Sequence, residues 1–74
     1  MSGGGALLKV GQTVYVRIVK PRIYKIHLVD IENANGIEGA LIVARHDTKF
    51  YYKGLRVRAR VLRIDNMYVD LVAL

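Results

Sequence analysis

The chain has 74 residues, no cysteine and a formal net charge of +6, from 12 Lys plus Arg against 6 Asp plus Glu; its pI is near 10.0. That length means one domain with a thin stability margin, and the lack of thiols excludes a disulfide framework and thiolate metal sites. No apolar run approaches the ~18 residues that would span a membrane, and the excess of cations points to a polyanionic partner, nucleic acid above all.

Residues 1–6 read as a flexible Gly-rich tail that lacks the charged-then-apolar layout of a signal peptide. Residues 7–74 are expected to form a single domain in an intracellular, cytoplasmic setting. Residues 7–12 lead into a first strand, in which Val14, Val16 and Ile18 alternate with Tyr15 and Arg17. That period of two puts an apolar face opposite an aromatic and basic one. Pro21 cannot donate to a ladder and restricts Lys20, so the strand ends there and Lys20, Arg22 and Lys25 make a basic loop. A second strand is expected over residues 24–31, with Ile26 and Leu28 on one face and Lys25 and His27 on the other. Val29 and Ile31 break this alternation and predict a bend or bulge in that strand.

Residues 32–36 form a loop closed by Asn35-Gly36. Residues 37–44 are the third strand, in which Gly39 marks a kink or a close backbone approach. Residues 45–54 are polar and then aromatic, with room for no more than a short helical turn. Phe50-Tyr51-Tyr52 reads as a plug at one end of the fold, with at least one ring buried for its area.

Residues 55–74 carry the clearest pattern. Leu55, Val57, Ala59 and Val61 alternate with Arg56, Arg58 and Arg60, and after Val61 the phase slips by one residue. Such a slip is the mark of a bulge, which also bends the strand. Asp65-Asn66 suits a two-residue hairpin link, after which Met67, Val69 and Leu71 share one face and Tyr68 and Asp70 the other. Five short strands without an amphipathic helix predict an all-β chain closed into a small five-stranded barrel, which removes exposed edges. Val16, Ile18, Leu28, Leu41, Val57, Val61 and Val69 are expected to line its core.

Three pieces of the chain resemble a known family. Val10-Gly11 followed by Val14, Val16 and Ile18 is similar to the opening strand of the ribosomal protein S-one type RNA-binding domain. Gly36-Ile37-Glu38-Gly39 before Ala40-Leu41-Ile42 is similar to its third-strand entry. Gly54, then Val57, Ala59, Val61, Leu62, Ile64 and Asp65, and finally Val69-Asp70-Leu71, is similar to its closing hairpin, the most specific of the three. The resemblance covers nearly the whole chain after the tail. It implies an oligonucleotide-binding (OB) type barrel and a single-stranded RNA partner, in translation or RNA processing, within a larger RNA–protein assembly. The sequence departs from the family at Ile42, where a His is usual, at Tyr68, where a basic residue is usual, and in a shortened segment between the third and fourth strands.

Single-stranded RNA is held by basic groups along its backbone and by bases stacked on aromatic rings. The residues that fit this pattern are Tyr15, Arg17, Tyr24, Lys25 and His27 on the outward face of the first two strands, Lys20 and Arg22 in the loop between them, and Arg63 and Tyr68 at the closing hairpin. The comb of Arg56, Arg58 and Arg60 suits phosphates and equally suits blocking of unwanted strand pairing. His27 and His46 show no metal-ligand spacing, and Ser2, the only serine, lies in the tail. Asp65 and Asp70 lack the partner carboxylate of an acid–base pair, and no Gly-rich phosphate loop precedes a helix. The chain is therefore expected to be no enzyme and to hold no metal or cofactor, with no membrane partner. Two alternatives stand beside RNA binding. One is a barrel that coats duplex DNA through the Arg comb. The other is an engineered or protein-interaction scaffold that keeps the fold without strong RNA binding, which Ile42 and Tyr68 favour.

Overall fold

Residues at alternate positions, mostly Val, Ile and Leu, are buried on one face of each of five strands. The computed structural model describes residues 8–22, 24–34, 36–66 and 68–74; the tail expected over residues 1–6 and the face expected for Met67 lie outside them. The strands are β1 (Thr13–Lys20), β2 (Ile26–Ile31), β3 (Glu38–Ile42), β4 (Arg56–Asp65) and β5 (Tyr68–Ala73). They close into a barrel of order β1-β2-β3-β5-β4, with β4 returning to β1. All seams are antiparallel except β3–β5, which is parallel. This is a closed OB-type barrel.

Val16, Ile18, Val29, Leu41, Val57, Ala59, Val61, Val69 and Leu71 fill the centre. On β4 the inward set is Val57, Ala59 and Val61, and the arginines between them face out. The expected bulge is present: Val61 pairs with Leu71 and Arg63 with Asp70, which leaves Leu62 as the extra residue. Gly39 is the expected close approach. A Cβ there would lie 2.7 Å from Leu71 Cδ1 and 3.0 Å from the Val69 carbonyl oxygen, so glycine lets β3 and β5 come together. Asp65 pairs with Tyr68, so the hairpin link falls one residue later than Asp65-Asn66. Asn66 adopts φ 55°, which Asn tolerates better than most residues.

The second strand differs from its sequence reading. His27, Val29 and Ile31 point inward, and Ile26, Leu28 and Asp30 point outward. Leu28 is half-buried on the outer wall and is not part of the core, and His27 is not an outward residue. The reason lies on the neighbouring strand: buried Val16 pairs with Ile31 and buried Ile18 with Val29, which turns Ile31 and Val29 inward. The register slips only beyond that, where Lys20 pairs with Leu28 and Val19 is the extra residue, so the bulge sits on β1. β2 keeps an unbroken register with β3. Residues 45–54 form an irregular loop rather than a helical turn, with the Asp47 N–H donating to the Ala44 carbonyl at 3.0 Å.

Candidate functional site

The outward wall of β2, β3 and β5 carries a shallow groove of about 320 Å³. Its floor is Ile26, Leu28 and Ala40, set side by side because Leu28 pairs with Ala40 across the β2–β3 seam. The inverted phase of β2 brings these apolar residues to the surface. Tyr24 and Arg22, from the β1–β2 loop, close one end, and Tyr68, at the start of β5, closes the other. Both rings are open to solvent, Tyr24 at 79% and Tyr68 at 43%. Lys20 pairs with Leu28 at the β1 margin. Arg63 stands opposite Asp70 and reaches Asp65 at 3.5 Å, an exposed pair that leaves the guanidinium accessible.

Tyr15 and Arg17 do not join this groove. They lie on the β1–β4 wall, opposite Arg58 and Arg56 respectively. Glu32 accepts two hydrogen bonds from Arg56, at 2.8 and 3.0 Å, and lies 3.6 Å from Arg17 Nε. The Arg56 guanidinium also sits 3.8 Å above the Tyr15 ring, a cation–π contact. The hydrogen bond from Arg56 holds the Glu32 carboxyl below its usual range, and Glu32 in turn raises Arg56. Arg58 and Arg60 have no ion-pair partner among the described residues.

The third region is the end of the barrel where the β1–β2 loop meets the β3–β4 loop. His27 lies there, 5% exposed, with its ring stacked on Tyr51 at 5.0 Å. Its Nδ1 accepts the Arg22 N–H at 2.9 Å, which puts the neutral ring's proton on Nε2. Burial, and then the charge of Lys25, lower its pKa. Tyr51 is the buried ring expected of the aromatic triplet; its hydroxyl donates to Asp47 Oδ2 at 2.8 Å. Burial and that bond push its pKa up to about 12. The Lys49 N–H, and after it the Tyr51 hydroxyl, lower that of Asp47. Lys25 takes a left-handed φ of 65° and its Nζ donates to the Asp47 carbonyl at 2.6 Å, so it faces the loop rather than the groove.

The candidate residues thus divide into three neighbourhoods: Lys20, Arg22, Tyr24, Arg63 and Tyr68 around the β2–β3–β5 wall, Tyr15 and Arg17 on the β1–β4 wall, and Lys25 and His27 at the barrel end, with His27 also bordering the groove. Phe50 and Tyr52 escaped the sequence reading, which treated the triplet as a plug. An extended segment sends alternate side chains to opposite sides, so one buried ring at Tyr51 already implies two outward ones. Phe50 is 80% exposed.

No protein-family model matches the chain, and no curated protein matches it. Among solved structures it is similar to a chain of the a/eIF2alpha-aDim2p-rRNA complex from Pyrococcus horikoshii OT3, at 18% identity and TM-score 0.71, over 88% of this chain and 44% of that one. It is also similar to the intact alpha subunit of aIF2 from Pyrococcus abyssi, at 17% identity and TM-score 0.73, over 90% of this chain and 29% of that one. The chain spans less than half the length of either. At such identities the likeness is one of fold, and it agrees with the OB-type barrel.

Proposed function

We propose that the chain is a single-stranded RNA-binding module of the ribosomal protein S-one type, acting in the cytoplasm in translation or RNA processing, and that it binds rather than catalyses. One observation carries this reading: an apolar groove on the β2–β3–β5 wall with an exposed tyrosine at each end and Arg22 beside it. Bases of a single strand are free to stack on Tyr24 and Tyr68 while their edges and sugars lie over Ile26, Leu28 and Ala40. Arg22 and Lys20 are placed for the phosphates. The family resemblance along most of the chain supports RNA as the partner, as does the rRNA in the complex that holds one of the similar chains.

The test is an anisotropy titration with labelled single-stranded RNA and with duplex DNA. A stacked base contributes ~1–3 kcal/mol, so Tyr24→Ala with Tyr68→Ala should weaken single-strand binding by at least about 30-fold. Duplex binding should change little, since paired bases are not free to stack. Equal losses on both ligands would sink the stacking role. A wild-type chain that binds neither at low salt would leave the protein-interaction scaffold, for which the exposed Ile26 is the best anchor.

A further inference from the structure

The end of the barrel holds a second open surface that the groove reading does not use. It is a broader cleft, about 470 Å³, between the β1–β2 loop and the β3–β4 loop. Arg22, Lys25, Lys49 and Lys53 line it, and among the described residues no carboxylate does. The β3–β4 loop has a single carboxylate, Asp47, and that group is engaged by the Lys49 N–H and the Tyr51 hydroxyl. Between the cations stand Phe50 and Tyr52, whose rings meet at 5.9 Å with a 30° tilt. That spacing is a direct aromatic contact, so the pair forms one apolar platform whose outer side, on Phe50, faces solvent.

An uncovered Phe is informative here. Full burial of such a side chain stabilises by roughly 1.5–3 kcal/mol, and the barrel mouth where it would be buried is occupied by Tyr51 on His27. The residues beside the platform are cations, which argue against a folded-over apolar partner and for a ligand with planar rings and negative charge. Arg22 and the buried His27 border both this cleft and the groove on the β2–β3–β5 wall, so the two surfaces are continuous around the exposed Arg22 side chain.

We propose that the barrel end is a second subsite for the same single-stranded RNA: the strand leaves the groove past Tyr24, turns over Arg22, and stacks a further base on Phe50 and Tyr52 while Lys49 and Lys53 hold its phosphates. This rests on the groove reading for where the strand comes from. It assigns the β3–β4 loop a binding role and makes affinity depend on oligonucleotide length.

The experiment compares a labelled tetranucleotide with a decanucleotide of uridine, on the full chain. Phe50→Ala with Tyr52→Ala should weaken the decanucleotide about tenfold, near the lower end of one lost stack, and leave the tetranucleotide unchanged. Lys49→Gln with Lys53→Gln should flatten the decanucleotide's log K against log[salt] slope by about 1.4, from about 0.7 per phosphate. All four side chains are exposed or lie in the loop, and thermal melts of the variants check that each still folds. Decanucleotide affinity and salt slope that ignore both pairs would overturn the subsite, as would an equal loss on the tetranucleotide. The groove itself is read separately: if Tyr24→Ala with Tyr68→Ala leaves tetranucleotide binding intact, it is that reading which fails.

Discussion

Protonating His27 would disturb the barrel end in two ways at once. Its Nδ1 would become a donor facing the Arg22 N–H that it now accepts, and a second positive charge would appear near Lys25 in a buried site. Tyr51 gives the ring a stacking partner, and the carboxylate bonded to Tyr51, Asp47, is turned to Tyr51 and Lys49. The folded pKa is lowered, so between the folded and unfolded values the unfolded chain binds more protons. Stability is therefore complete above the unfolded value of about 6.5 and falls as pH drops toward the folded one. Thermal melts between about pH 7.5 and about pH 5.5 should show Tm decreasing, over a range in which most carboxylates stay ionised. His27→Asn keeps an acceptor, its Oδ1, near the Nδ1 position for the Arg22 N–H and cannot be protonated, so its Tm should be flat over the same range. Parallel slopes for the two proteins would show that His27 is not the titrating group.

At the scale of the strand, the arginine comb on β4 is not uniform. Arg56 is held by Glu32 and laid over Tyr15, whereas Arg58 and Arg60 project without an ion-pair partner among the described residues. The β1–β4 wall is a suitable surface for duplex phosphates, and it is distinct from the wall that carries Tyr24 and Tyr68. Arg58→Gln with Arg60→Gln should flatten the duplex salt slope by about 1.8, at about 0.9 per phosphate, and leave the single-strand slope as it was. A single-strand slope flattened by about 1.4 would put the RNA on the comb instead. Strands β1, β4 and β5 were legible because their inward Val, Ile, Leu and Ala residues stand at alternate positions between mostly polar ones, and β3 because Gly39 and Leu41 alternate with Glu38 and Ala40. β2 was not, because Ile26 and Leu28 on its outer wall and Val29 and Ile31 on its inner one erase the period of two, and its inward series begins with a histidine. Its phase is set by pairing with β1, where Val16 meets Ile31 and Ile18 meets Val29, which no local pattern in β2 records. The same inversion hid the groove, since its floor of Ile26 and Leu28 reads as core. The tyrosines at its ends were legible as outward aromatics, but which wall each one reached depended on the closure of the barrel.

For the whole molecule, the parallel β3–β5 seam has a consequence for how the barrel is assembled. β4 and β5 form a local hairpin, which can appear within microseconds, and β1, β2 and β3 form a meander of neighbours. The two halves are joined by two seams that bring distant residues together, Gly39 with Val69 and Val16 with Val57. Closing them is a late, entropically costly step, so folding should take milliseconds to seconds, as in other barrels dominated by non-local pairing. Until it happens, the meander offers the free edges of β1 and β3, and the hairpin offers matching ones. A hairpin from a second chain fits those edges as well as the chain's own, and the segment of residues 43–55 is the hinge that would let it cross. Refolding at high protein concentration should therefore yield an exchanged dimer on size exclusion, with two intact barrels and native-like melting. Refolding at low concentration should yield monomer alone. A monomer at every concentration would mean that the hairpin docks on its own meander faster than two chains can meet.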